Sequence, residues 1–306
     1  MKSRKLVFAL LMLALVSLSL SAAAQAPAFK GQFTYQDVVA PGATETDSYA
    51  INNNGAIAGD YIDSAGVQHG MILKGQTLTT IDNSNCASGI SFYGINAAQR
   101  VAGWCVAPTG LTIAFTYTNG AFTTISPPGA VSTEANGIND KGVVVGSYVD
   151  SAGLTHGFVL NGKKYTTLDC PGCTSNGDYS VAWSVNNSGV IAVYGLNSSG
   201  GSYLSFTTKD QGQTYTEFAY SGAGTLGTVI HAISNKGDID GTYFDSNSLG
   251  KGVLFHKGKY YPFQEPNDCG VSPCSTRADG LNNALQIVGR YSPSDGSSHG
   301  FIAQAK

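Results

Sequence analysis

The sequence predicts an all-β protein: a six-bladed β-propeller of four-stranded blades, its ring closed by an N-terminal strand that completes the last blade. Three observations carry this expectation. An apolar-Asn anchor recurs as Ile51-Asn52, Ile95-Asn96, Ile138-Asn139, Val185-Asn186, Ile233-Ser234 and Leu281-Asn282. The steps between anchors are 44, 43, 47, 48 and 48 residues, the length of one propeller blade. The composition, with 39 Gly and only 12% charged residues, favours short strands and tight turns over long helices.

Taken in order, residues 1–24 read as a secretory signal peptide. Lys2, Arg4 and Lys5 precede the apolar run Leu6 to Leu20, which is short for a membrane span. Ser21-Ala22-Ala23-Ala24 then supplies a small-residue cleavage site. Residues 25–306 form the single repeat domain. Cleavage removes three cations and takes the formal charge from −3 to −6. An acidic chain without a Lys/Arg cluster lacks the footprint of a nucleic-acid or membrane-surface binder. No second long apolar stretch follows, so no membrane span is expected after cleavage. The expectation is a monomer, secreted or periplasmic.

Each repeat unit holds four strand signals. Strand a leads into the anchor, whose Asn can bond its own backbone two residues on, while Gly55, Gly142, Gly189 or Gly237 accepts the positive φ of the turn. Units two and six carry Gln99 and Leu285 at that position, so their turns are expected to differ. Strand b follows, as Ala56 to Tyr61, Val143 to Tyr148, Ile239 to Tyr243 and Ile287 to Tyr291. An Asp-Ser-x-Gly type turn (Asp63 to Gly66, Asp150 to Gly153) leads to strand c, marked by His69-Gly70-Met71, His156-Gly157-Phe158 and His299-Gly300-Phe301. Gly75, Gly120, Gly162, Gly212 and Gly258 turn the chain into strand d, which ends on Ile81, Ile125, Leu168, Phe218 or Phe263.

The sixth unit stops near Phe301 without a strand d, and the N-terminal segment supplies one. Tyr35-Gln36-Asp37-Val38-Val39-Ala40-Pro41-Gly42 aligns residue for residue with Tyr165-Thr166-Thr167-Leu168-Asp169-Cys170-Pro171-Gly172. A transposed last strand is what a ring closed between its termini requires, and closure removes exposed sheet edges.

With its G-I-N-x-x-G, V-G-x-Y and H-G-F elements, the repeat resembles the bacterial extracellular HAF-repeat family. The resemblance covers essentially all of residues 25–306 and is strongest in units one, three and six. It implies a secreted repeat protein and brings no established activity or catalytic residues.

Six Cys in an exported chain read as disulfides. Cys86, Cys170, Cys173, Cys269 and Cys274 sit in d-to-a loops and Cys105 just after a strand b, so all six fall on one face. The local pairing is Cys86–Cys105, Cys170–Cys173 and Cys269–Cys274. Cys170-Pro171-Gly172-Cys173 has redox-motif spacing, but no βαβ unit surrounds it. Zinc held by two Cys pairs is disfavoured by the C-x4-C spacing and by distant blades.

No catalytic residue emerges. His69, His156 and His299 occupy one repeat slot on different blades, which suits hydrogen bonding within the architecture better than catalysis. Asp63, Asp150 and Asp245 could contribute to Ca2+ binding, yet each turn offers one Asp, so an Asx-turn is the better reading. Thr208-x-Asp210-x-Gly212-x-Thr214 resembles the Asp-box of sialidase-type propellers, a hairpin-shaping element. Sialidase chemistry needs a converging Arg triad, and residues 25–306 hold only Arg100, Arg277 and Arg290. Tyr61, Tyr148 and Tyr243, with Asp63, Asp150 and Asp245, are the candidate binding residues, because Tyr joins a flat apolar body to a polar tip. The expected function is a non-catalytic binding or scaffold propeller without a cofactor, recognising a glycan or an envelope or extracellular protein on the disulfide-pinned face. The alternative is a carbohydrate-active hydrolase or lyase with acids at the central channel.

Overall fold

The structure is a computed structural model that describes residues 31–173, 177–271 and 275–306. The signal-peptide reading of residues 1–24, and Cys274, lie outside the described residues. The described residues form 24 strands and no helix.

Five blades are contiguous in sequence. The first is β2 (Ala43–Ile51), β3 (Ala56–Asp63), β4 (Gln68–Lys74) and β5 (Thr77–Ile81). The second is β6 (Ile90–Ile95), β7 (Val101–Val106), β8 (Thr112–Thr118) and β9 (Ala121–Ile125). The third is β10 (Ser132–Ile138), β11 (Val144–Val149), β12 (Thr155–Asn161) and β13 (Lys164–Leu168). The fourth is β14 (Tyr179–Val185), β15 (Ile191–Asn197), β16 (Ser202–Thr208) and the short β17 (Thr216–Glu217). The fifth is β18 (Thr228–Ile233), β19 (Ile239–Phe244), β20 (Gly250–His256) and β21 (Lys259–Phe263).

The sixth blade is composite. β22 (Thr276–Leu281), β23 (Gln286–Tyr291) and β24 (His299–Ala305) receive β1 (Phe33–Val38) as their fourth strand. β1 runs antiparallel to β24, from Phe33 opposite Ala305 to Val38 opposite Gly300. The transposed strand read from the sequence closes the ring.

Burial explains the strand types. Blade faces stack on one another, so the second strand of a blade is covered on both sides; Ala56 to Tyr61 is buried throughout. The outermost strand borders solvent, and β5 and β9 bury only their last residue. Six apolar clusters hold the ring, one in each gap between neighbouring blades. The gap between blades 6 and 1 is sealed by Val38 and Val288 against Ile51, Ile57, Met71 and Leu73. The H-G-F phenylalanines Phe158 and Phe301 are fully buried.

Two glycine positions carry the geometry. Gly59, Gly103, Gly146, Gly241 and Gly289 sit where a Cβ would collide with a carbonyl of the paired strand a, so the V-G-x-Y glycine permits close pairing. At the a–b turn, Gly55, Gly142, Gly189 and Gly237 adopt positive φ. Here one sequence expectation fails. Gln99 (φ 58°) and Leu285 (φ 57°) adopt the same left-handed conformation and close the same turn, donating their N–H to Asn96 O (3.0 Å) and Asn282 O (3.1 Å). The surrounding anchor hydrogen bonds impose the turn on residues that do not favour it.

Candidate functional site

The anchor asparagines do more than shape their own turns. Asn52 Oδ1 accepts from the backbone N–H of Asn54 and Ala56, the expected local bonds. Its Nδ2 donates to the carbonyl of Asn96 in the next blade at 2.9 Å. Asn96 reaches Asn139 (3.3 Å), Asn139 reaches Asn186 (3.0 Å), Asn186 reaches Ser234 (3.0 Å), and Asn282 returns to Asn52 (3.2 Å). Ser234 carries no amide, and its hydroxyl donates to Asp238 within its own turn (3.1 Å). A second belt lies beside the first. Ala97, Asp140, Asn187, Asn235 and Asn283 each donate a backbone N–H to the side-chain oxygen of the matching residue one blade on.

These belts frame a central channel of about 90 Å³. Three residues before each anchor, every strand a carries a β-bulge, which re-aims a side chain. The bulge residues are Tyr49, Tyr93, Asn136, Trp183, His231 and Asp279, and all six line the channel. The framework repeats around them, but they do not.

Their contacts form an asymmetric plug. Tyr49 stacks on Tyr93 (4.3 Å), and Tyr93 stacks on Trp104 (5.4 Å). The Arg290 guanidinium covers the Tyr49 ring at 4.9 Å, a cation–π contact. Trp183 packs against Tyr93 (5.7 Å) and His231 (5.1 Å). Arg290 also donates to Tyr49 Oη (2.8 Å) and Asp47 (3.2 Å), and its Nε lies 3.9 Å from Asp279. Carboxylates of blades 1 and 6 therefore share one guanidinium. Asn136, 1% exposed, has both amide atoms buried without a partner, and Asp279 keeps Oδ2 without a hydrogen bond. Three blades separate them, which places them on opposite sides of the ring axis.

Burial dominates the electrostatics. It pushes His231 down to about 4, against the pull of Asp279, so the ring is neutral at pH 7 and Nδ1 donates to the Ala278 carbonyl (2.6 Å). Burial, then the neighbouring Asp47, pushes Asp60 up to about 7. Burial also raises Tyr49, Tyr93, Glu134 and Asp240 above their ordinary values.

The binding residues read from the sequence lie elsewhere, one pair per blade, and do not converge. Asp63 caps its b–c turn through Ala65 and Val67 N–H, Asp150 through Ala152 and Leu154, and Asp245 through Asn247 and Leu249. These are Asx-turns. Tyr61 and Tyr148 hydrogen-bond Thr80 (2.9 Å) and Thr167 (3.1 Å) on strand d of their own blades. Tyr243 packs edge-on to Tyr220 at 4.8 Å. The H-G histidines pin the same turns: His69 bridges Asp63 (3.4 Å) and Asp82 (2.8 Å), and His156 bridges Asp150 and Asp169. In blade 5 Lys251 takes that place, 2.9 Å from Asp245. Among the described residues no group of three or more His, Cys, Asp or Glu has the arrangement of a metal site.

Cys86–Cys105 and Cys170–Cys173 are disulfides. Cys269 is disulfide-bonded, and its expected partner Cys274 lies outside the described residues. The Asp-box segment forms the β16–β17 hairpin, where Asp210 accepts from Thr214 N (2.8 Å) and Thr208 Oγ1 (3.0 Å). The exposed large apolar residues Val39, Val67, Leu111, Val131, Leu154 and Val271 all lie in b–c turns or d–a loops, on the face of the disulfides.

Sequence reasoning missed the bulge residues because it searched for what repeats. Their signal was the position three before each anchor, where the repeat is broken by Tyr, Tyr, Asn, Trp, His and Asp.

No family model matches the chain, and no curated protein does. Solved structures resemble it at low identity. The lectin of Aleuria aurantia, described as a six-bladed β-propeller with a novel mode of fucose recognition, aligns with TM-score 0.53 and 14% identity over 83% of this chain and 89% of the lectin. TolB from Acinetobacter baumannii aligns with TM-score 0.54 and 12% identity over 82% of this chain and 65% of TolB. XC5397 from Xanthomonas campestris, described as a gluconolactonase, aligns with TM-score 0.55 and 9% identity over 91% and 92%. At these identities the likeness establishes the fold, a six-bladed β-propeller.

Proposed function

We propose that this chain is an exported HAF-type repeat propeller that binds a small polar ligand of the carbohydrate class in its central channel. One observation carries the reading. Six equivalent bulge positions hold a non-repeating set of aromatic and polar side chains, with buried amide and carboxylate atoms of Asn136 and Asp279 lacking hydrogen-bond partners. Buried polar atoms without partners are costly, and a hydroxyl-rich ligand offers both donors and acceptors. Aromatic walls beside planar amide and carboxylate groups suit the alternating apolar and polar surfaces of a sugar. The fucose-binding propeller of Aleuria aurantia shows that this fold serves as a lectin. The disulfides Cys86–Cys105 and Cys170–Cys173 accord with export.

Calorimetric titration of residues 25–306 with a panel of monosaccharides and polyols tests the reading, with Asn136→Leu as the control. Loss of a binding event in Asn136→Leu supports the channel; binding that Asn136→Leu leaves unchanged, or no binding of any panel member, refutes it.

A second reading, a hydrolase or lyase, draws on a different feature. Asp47 and Asp60 are register partners across β2 and β3, with Asp60 carrying its proton up to about pH 7 and Asp47 paired to Arg290. Carboxyl groups with contrasting environments can divide acid and base roles. Turnover of a glycoside that Asp60→Asn abolishes would establish this reading, and binding without turnover would refute it.

A further inference from the structure

A cleft of about 450 Å³ opens on blade 6, lined by Thr34, Gln36, Gln286, Ile302, Gln304 and Lys306, with Tyr35 beside them. Its volume falls within the range of small-molecule sites. Register sets its walls. Thr34 and Gln286 both pair with Gln304, while Gln36 and Val288 both pair with Ile302. Residues directly opposite one another share a sheet face, and Val288 and Ile302 pack in the cluster between blades 6 and 1. The glutamines therefore occupy the face that turns toward blade 1.

One lining residue differs in kind from its counterpart in blade 5, while blades 1, 2 and 3 carry Thr79, Thr123 and Thr166 at that place. Aligned on their final apolar residues, Val38 of β1 and Phe263 of β21, Gln36 matches Tyr261. Tyr261 packs against the cluster between blades 5 and 6, so the corresponding place in that gap is filled by an aromatic ring. In blade 6 the same place holds an exposed amide.

The chemistry of the lining is specific. Gln286 Oε1 accepts from Asn282 Nδ2 (2.8 Å), and Gln304 Nε2 donates to the Ala284 carbonyl (3.1 Å). These bonds fix the two side chains and leave Gln286 Nε2 as a donor and Gln304 Oε1 as an acceptor. An amide presents both capacities, which matches hydroxyl groups that also do both. No Asp or Glu side chain lines the cleft, and Lys306 brings an ammonium group, so an organic cation is disfavoured there.

We propose that this cleft on blade 6 is a second ligand site, taking a neutral hydroxyl-rich sugar residue through Gln36, Gln286 and Gln304. It rests on the carbohydrate-binding reading, but not on the channel. Its walls come from β1, β23 and β24, and Gln286 holds Asn282, the residue that joins blade 6 to blade 1. Ligand binding therefore stabilises ring closure and raises the melting temperature.

The test uses residues 25–306 and the methyl glycosides of common hexoses and deoxyhexoses. Binding is followed by calorimetry and by the side-chain amide resonances of Gln36, Gln286 and Gln304. The expected result is that one glycoside moves those three resonances and raises the melting temperature. Gln36→Tyr, which gives the blade the residue of its neighbour, weakens that binding by about tenfold or more, and Asn136→Leu leaves it intact. Should Gln36→Tyr fail to fold, Gln304→Leu serves in its place. Glycoside binding that survives Gln36→Tyr but is lost in Asn136→Leu overturns the cleft and leaves the channel reading standing. Silence of the three amides toward every glycoside overturns the cleft, and silence in calorimetry as well overturns the carbohydrate reading itself.

Discussion

Asn282 Nδ2 donates to the carbonyl of Asn52 at 3.2 Å across 230 residues of sequence. The bond is equivalent to those between successive blades, so the junction of the chain's two ends is built like the other inter-blade joints. Arg290 reinforces it through Asp47, and Asn283 donates its N–H to Asn53 Oδ1 at 2.9 Å.

The anchor bonds predict a large cost for a small truncation. Asn139 is 4% exposed, donates to Asn186 O and accepts from Lys141 and Val143 N–H. Asn139→Ala removes all three bonds and is expected to destabilise by about 2–4 kcal/mol. Urea denaturation measures this, and a loss near zero would show that the belt contributes nothing.

The strained turn predicts a gain. Gln99 is exposed and holds φ 58°, where a side chain costs energy and Gly does not. Part of that relief is offset by the greater freedom of Gly in the unfolded chain. Gln99→Gly is therefore expected to stabilise by about 0.5 kcal/mol. A lower denaturation midpoint at unchanged slope would contradict the strain argument.

The His69 clamp predicts a pH signature. Hydrogen bonding to Asp82, then to Asp63, raises the imidazole above 6.5 despite partial burial. Its contribution is fully present below pH 6.5 and fades as pH rises through the folded value. The stability gap between wild type and His69→Gln should be wider at pH 5.5 than at pH 8.5. An equal gap at the two pH values would rule out a charged clamp.

Asp60 predicts a loss in the same direction, from a buried charge that the fold resists rather than a clamp that it loses. Burial and Asp47 hold its proton to about pH 7, against 3.8 for the ordinary carboxyl. The unfolded chain releases that proton at lower pH, so stability falls between about pH 4 and 7 and then levels. Asp60→Asn should leave stability near wild type at pH 4 and raise it at pH 8. Denaturation midpoints at those two pH values decide the matter.

Much of the scaffold was legible because it repeats. The anchors, the H-G-F elements and the spare strand from Tyr35 onward each echo a physical requirement that every blade shares. Three of the six cysteines were harder to place in function than in pairing: Cys86–Cys105 and Cys170–Cys173 form as the local spacing suggested, yet Cys105, Cys170 and Cys173 are buried in the packing between blades. Repetition also has a purely structural source. Tyr61, Asp63, Tyr148 and Asp150 recur because they build b–c turns and strand contacts, and structural need is enough to explain them.

By itself, the sequence determined a ring of six four-stranded blades, closed by its own first strand, because periodic burial and turn chemistry are local properties repeated at a fixed step. Only the tertiary structure decided which side chains meet. Tyr49, Tyr93, Asn136, Trp183, His231 and Asp279 are separated by more than forty residues from one to the next, and share a channel because each bulge turns inward at the same height. It also decided that Gln99 and Leu285 must bend as glycine does, since the hydrogen bonds of the ring outweigh the preference of one residue.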